Sequence, residues 1–239
     1  MQIAILMTNT DESDFAKEHP KDGEKWTNLL APLRPDWEFP VYSVKDGEFP
    51  DDVSGFDGII VTGSPASVHD GEPWIDRLLE MIRQSVSSSV PVFGACFGHQ
   101  AISIALGGRV ERNPGGWVFG LERTKVNDVL PWMEEGDTEL RQHAAHIEQV
   151  TALPDGAHIY MGNADCPVGG YAIGKSIFTS QYHPEIDQAF MTDLITELQD
   201  QKPADVIENA YASLSQDAEN TRFAHWIVSF FEQAVKSEV

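Results

Sequence analysis

The feature that most constrains this chain is Gly94-Ala95-Cys96-Phe97-Gly98-His99-Gln100. An apolar run, Val90-Pro91-Val92-Phe93, precedes it, and an apolar helical pattern from Ala101 to Leu106 follows. Strand, sharp turn and helix in that order put a cysteine at the tip of the turn. Such a turn strains the backbone of its tip residue, so the neighbours must be small, and Gly94 and Gly98 meet that demand. The helix after the turn points its free N–H groups and positive dipole end at the thiol, which favours the thiolate. A free cysteine is ordinarily a small buried hydrophobe. The two glycines and the strand-to-helix context favour a nucleophile at Cys96 instead.

A thiol nucleophile needs a base, and the base needs a third group to orient it. Ile177-Phe178-Thr179-Ser180-Gln181-Tyr182 reads as a strand that ends in His183-Pro184-Glu185. Pro184 fixes the backbone between the two functional residues and keeps His183 out of helical geometry. Glu185 can then hold one imidazole nitrogen while the other faces the thiol. Standing alone, this tripeptide would read as an ordinary turn with a surface histidine. Paired with the Cys96 turn, it reads as base and orienting carboxylate.

These two motifs resemble the class I, or triad, glutamine amidotransferases, with their Gly-x-Cys-x-Gly-x-Gln elbow and late His-Pro-Glu. Gly58-Ile59-Ile60-Val61-Thr62-Gly63-Ser64-Pro65 is similar to the family's strand and oxyanion loop. Ala105-Leu106-Gly107-Gly108-Arg109-Val110 resembles the helix end after its elbow, and His146-Ile147-Glu148-Gln149-Val150 its His-x-Asp-x-Val segment. The resemblance runs over about residues 1–190 and is nearest to free-standing proteins akin to the GMP synthetase amidotransferase domain. It implies Cys96 as nucleophile, His183 as base and then acid, and Glu185 as orienting carboxylate. It implies an oxyanion hole from the N–H groups of Ser64 and Phe97, and contacts from Gly63 and Gln100 to the glutamine or γ-glutamyl group. Ser64, Glu148, the Gly116-Trp117-Val118 stretch and Ala144-Ala145 depart from the family pattern, and bear on substrate choice more than on reaction type.

Continuous apolar strands at residues 2–7, 57–62 and 91–95 alternate with helical patterns at Lys25 to Leu33, Trp74 to Ser87 and Phe97 to Leu106. That alternation predicts an α/β fold with a mostly parallel sheet covered by helices on both faces. The resemblance implies the three-layer, flavodoxin-like form of it. Residues 109–183 carry shorter β-like pieces, such as 118–121 and 158–161, read as mixed-sheet additions near the site. Residues from Asp187 to Val239 read as helices broken near Lys202-Pro203. The expected organisation is an amidotransferase-like domain over 1–190 and a C-terminal helical extension over 191–239, packed on the same domain.

Against 38 acidic residues the chain sets 16 basic ones, a formal charge of −22. Such a surface repels phosphate backbones and anionic membranes, so neither is an expected partner. Residues 1–7 lack the basic start and the length of a signal peptide and read as a buried strand. Two cysteines cannot make a disulfide framework, and a reactive Cys96 needs a reducing compartment, so the expectation is cytoplasmic. Cys166, in Asn163-Ala164-Asp165-Cys166-Pro167-Val168, lacks the elbow and reads as structural. His143, His146 and His158 have no partners at metal spacings, so no metal or other cofactor is expected. His69-Asp70-Gly71-Glu72 follows the presumed oxyanion loop and reads equally as a pocket border or a solvated turn.

Three functions fit. One is hydrolysis of the glutamine side-chain amide, with a synthetase subunit in trans as a possible ammonia acceptor. Another is a γ-glutamyl peptidase acting on a bulkier γ-glutamyl amide. The third is a silent binding or regulatory protein, against which the intact Cys96, His183 and Glu185 argue.

Overall fold

A computed structural model of the chain describes every residue except 135, 137 and 236–239. In chain order its elements are β1 (Ile3–Met7), α1 (Asp14–Glu18), α2 (Asp22–Leu30), β2 (Val41–Ser43), β3 (Gly58–Val61), α3 (Pro73–Ser87), β4 (Val92–Ala95) and α4 (Phe97–Ala105). Seven strands follow: β5 (Arg109–Arg112), β6 (Val118–Val126), β7 (Glu139–His146), β8 (Glu148–Ala152), β9 (His158–Gly162), β10 (Gly170–Ile173) and β11 (Ile177–Ser180). Helices α5 (Gln188–Leu198), α6 (Ala204–Ser213) and α7 (Asn220–Val235) close the described chain.

Among the described residues nine strands form one sheet in the order β2-β1-β3-β4-β11-β10-β9-β6-β7, and β5 and β8 form a separate antiparallel pair. From β2 to β11 every neighbour is parallel. From β11 outward the pairings are antiparallel. Side-chain alternation explains why the parallel strands are apolar throughout. Ile3, Ile5, Ile60 and Phe93 face one layer with α2 and α7, where Trp26, Phe223 and Phe230 pack. Ala4, Leu6, Ile59, Val61 and Val92 face the other layer, with Leu78 of α3 and Ile102 of α4. Both faces are covered, so neither position of the period-two pattern can be polar.

Of the C-terminal helices, α7 is built into this scheme, whereas α5 and α6 pack with Phe119 of β6 in a separate cluster. Phe223 of α7 lies 5.5 Å from Phe178 of β11, nearly parallel to it, and 6.0 Å from Phe93 of β4. The helical stretch is broken at residues 199–203, around Lys202-Pro203, and again before Asn220. Residues 236–239 of the expected helical stretch lie outside the described residues. Helix α2 starts at Asp22 rather than Lys25, because Glu24 accepts from the Lys21 backbone N–H at 3.0 Å and caps an earlier turn. Among the described residues no helix is long and apolar enough to cross a membrane.

Candidate active site

Strand β4 runs straight into α4 through Cys96, whose φ of 49° and ψ of −106° lie where side chains are strained. Holding a non-glycine residue there costs about 1–3 kcal/mol and needs the surroundings to enforce it. Two hydrogen bonds do so. The Cys96 N–H donates to Ser180 O at 2.8 Å, and the Gly98 N–H donates to Thr62 O at 3.1 Å. Gly94 and Gly98 themselves have ordinary φ; they are needed for space. A Cβ on Gly94 would sit 2.6 Å from the Gly98 carbonyl carbon, and one on Gly98 would sit 2.2 Å from Val61 O. The glycines let α4 dock on β3 and β4, while the strain resides in the cysteine.

The parallel register of β4 and β11 pairs Ala95 with Ser180. The chain beyond β11 therefore runs beside the elbow, and His183 arrives next to Cys96. The His183 N–H donates to His143 O at 2.9 Å, which ties the histidine to β7. Its Nδ1 meets Glu185 Oε1 at 2.7 Å, and the two side chains are only 10% and 3% exposed. With Nδ1 committed, the other ring nitrogen is left for the thiol. Burial opposes a charge on the His183 ring, but the Cys96 thiolate and the Glu185 carboxylate outweigh it and raise its pKa well above the ordinary value. An imidazole held ready to carry a proton beside a thiol is an arrangement from which a histidine can deliver that proton to a leaving group.

Gly63 lies against both groups. A Cβ there would be 2.8 Å from His183 Cε1 and 3.6 Å from Cys96 Cβ. Its carbonyl accepts from Thr8 Oγ1 at 2.9 Å, and Thr8 is wholly buried at the end of β1. The N–H groups of Ser64 and Phe97 donate to no protein acceptor among the described residues. Ser64 is in the loop after β3, next to Gly63, and Phe97 begins α4. Gln100 is 4% exposed, and its Nε2 donates to Glu148 O at 2.8 Å and to Gln181 Oε1 at 3.2 Å. Among the described residues its Oε1 has no protein partner. The 69–72 turn is partly tied down, with His69 Nε2 3.0 Å from Val110 O.

Of the buried titratable neighbours, the linear sequence singled out His143, His146 and Cys166 without placing them at the site, and gave no signal for Asp22. His143 is fully buried beside His183, and burial lowers its pKa to about 4, so it is neutral at pH 7. His146 is likewise lowered to about 4 by burial, with Nδ1 3.1 Å from Glu148 O. Asp22 is raised by burial despite Lys25 at 3.1 Å, and lies close enough to Glu185 for their charges to interact. Cys166 is fully buried, and burial pushes its thiol up to about 12, which leaves it unreactive. Among the described residues no group of three or more His, Cys, Asp or Glu is placed to hold a metal ion.

The family model of class-I glutamine amidotransferases matches residues 37–196. Gamma-glutamyl peptidase 3 of Arabidopsis thaliana is 27% identical over 216 residues, covering 87% of this chain and 80% of its own. A GMP synthase of Porphyromonas gingivalis is 32% identical over 144 residues, which are 58% of this chain but 27% of that enzyme. A solved glutamine amidotransferase from Thermotoga maritima superposes with a TM-score of 0.74 over 98% of both chains at 17% identity. Another from Methylobacillus flagellatus gives 0.74 at 21% identity, covering 98% of this chain and 93% of its own.

Proposed function

The chain belongs to the class I glutamine amidotransferase family, and we propose on that basis that it hydrolyses a γ-glutamyl amide through a thioester on Cys96. The observation that carries the reading is the buried His183–Glu185 pair, 2.7 Å apart, beside a cysteine held at positive φ. The Cys96 thiolate attacks the side-chain amide carbon, and the carbonyl oxygen takes the negative charge. The Ser64 and Phe97 N–H groups receive it; each such donor supplies about 3 kcal/mol to the transition state. His183 gives its proton to the departing nitrogen, and the C–N bond breaks to leave a γ-glutamyl thioester. Water then loses a proton to His183, attacks the thioester, and releases glutamate and the thiolate. Glu185 keeps the ring oriented and stabilises its charged form without taking the proton.

Glutamine is the smallest substrate for this chemistry and yields glutamate and ammonia. A larger γ-glutamyl amide is the second reading. It is favoured by the Arabidopsis peptidase, which this chain matches over most of both lengths, whereas the matched GMP synthase is nearly four times longer than the aligned part. A reactive free thiol and a second unpaired cysteine fit the reducing cytoplasm. The test is a screen of glutamine and γ-glutamyl amides for glutamate release by the purified chain. Release from any of them supports the reading. No release from any, with or without cell extract, refutes it.

A further inference from the structure

The two oxyanion donors belong to different segments. Ser64 sits on the loop after β3, and Phe97 opens α4. An oxyanion hole works only when its donors stand about 2.7–3.1 Å from one oxygen position, so something must hold these segments at a fixed spacing. The Gly98 N–H to Thr62 O bond joins them at their base, and farther out one residue bonds to both. The Glu148 carboxylate accepts from Ser67 Oγ at 2.8 Å, three residues beyond Ser64. The Glu148 carbonyl accepts from Gln100 Nε2 at 2.8 Å, three residues beyond Phe97 in the first turn of α4. The same carbonyl meets His146 Nδ1 at 3.1 Å, which steadies the β7–β8 junction from which Glu148 projects.

Around Ser67 the loop is closed on itself. The Ser67 N–H donates to Asp70 Oδ2 at 2.8 Å, the His69 N–H to Ser67 Oγ at 3.1 Å, and the Ala66 N–H to Ser64 Oγ at 3.1 Å. At its start Thr8 holds the Gly63 carbonyl. We propose that Glu148 and Ser67 are positioning residues that set the spacing of the oxyanion hole, so that this chain hydrolyses its γ-glutamyl substrate without a synthetase partner. The inference rests on the amide-hydrolase reading above.

Shortening Glu148 to Asp withdraws the carboxylate by about 1.5 Å, which takes a 2.8 Å bond out of range. Ser67→Ala removes the donor, and Ser67→Thr keeps it. The experiment measures glutamate release by the wild type alone and by these three variants. It adds inhibition by glutamate γ-semialdehyde, whose adduct with the thiol carries a tetrahedral oxygen that needs the hole. Alkylation of Cys96 by iodoacetamide, which does not need the hole, serves as the control. The wild type should turn over alone. In Ser67→Ala and Glu148→Asp kcat should fall about ten- to hundredfold with KM within about threefold. Aldehyde inhibition should weaken by the same factor, the alkylation rate should stay within about twofold, and Ser67→Thr should recover most of the activity. Unchanged kcat and aldehyde affinity in both variants overturn the proposal, as does a parallel fall in alkylation rate and melting temperature. A wild type that turns over only with cell extract overturns partner independence while leaving the hydrolase reading standing.

Discussion

Gly63→Ala probes the geometry of the catalytic pair directly. The added Cβ would lie 2.8 Å from His183 Cε1, about 0.6 Å short of the closest ordinary carbon–carbon contact. The ring has little room to yield. Its Nδ1 is held by Glu185 at 2.7 Å, its backbone N–H is held by His143 O at 2.9 Å, and the side chain is 10% exposed. Either the ring or the Gly63 loop must move by roughly that 0.6 Å, and a displacement near 1 Å in a reacting pair costs about a hundredfold in rate. We expect kcat to fall about ten- to a hundredfold, or about 1.4–2.7 kcal/mol in activation free energy. Gly63 has no positive φ, so alanine adds no conformational strain, and overpacking should cost about 1–3 kcal/mol of stability. Gly55→Ala, where a Cβ meets nothing within 4 Å, is the control. Steady-state kinetics on the best γ-glutamyl substrate, with urea melts of each variant, make the measurement. Wild-type kcat in Gly63→Ala refutes the close approach, and a change confined to KM would instead make Gly63 a substrate contact.

Three further expectations follow from the same structure. His183→Ala should cut turnover by about a thousandfold, while Glu185→Gln should keep activity above that floor because an amide oxygen can still orient Nδ1; equal rates for His183→Ala and wild type would remove His183 as the base. His99 is fully buried with Nδ1 2.9 Å from Thr179 Oγ1, and burial lowers its pKa to about 3. The unfolded chain therefore binds a proton below about pH 6.5 that the folded chain refuses, and stability present above that pH is lost as pH falls toward 3, by about 2 kcal/mol at pH 5. Urea unfolding of His99→Gln at pH 7 and pH 5 should show a loss smaller than wild type by that amount, and an identical pH dependence would contradict it. Cys166→Ala should leave kcat and KM unchanged, since its buried thiol is pushed up to about 12; an inactive but folded variant would contradict its structural role.

The elbow was legible because its signals are local. An apolar run, two glycines and an apolar helix surround Cys96 within a dozen residues, and Pro184 marks the geometry of His183 and Glu185 in the same way. The parallel core was legible because both faces of β1, β3 and β4 are buried, which leaves continuous apolar runs. Contacts set by register were not legible. His143 meets His183 because β7 reaches across to the chain after β11. Thr8 meets Gly63 because β1 and β3 are parallel neighbours, and Ser67 meets Glu148 across 81 residues. None of these pairs has a pattern along the chain. Helix α1, with five residues, and β2, with three, are too short to show periodicity. The glycines of the elbow were expected from backbone strain, yet they serve the docking of α4, a demand visible only once β3 lies beneath it.

The central claim is that Cys96 carries the γ-glutamyl group. Its most direct test is mass spectrometry of the chain after exposure to an electrophilic glutamine analogue, with tryptic mapping of the product. One adduct per chain is expected, on Cys96, formed far more slowly in His183→Ala. An adduct on Cys166 alone, or none on a folded chain that still releases glutamate, would contradict it.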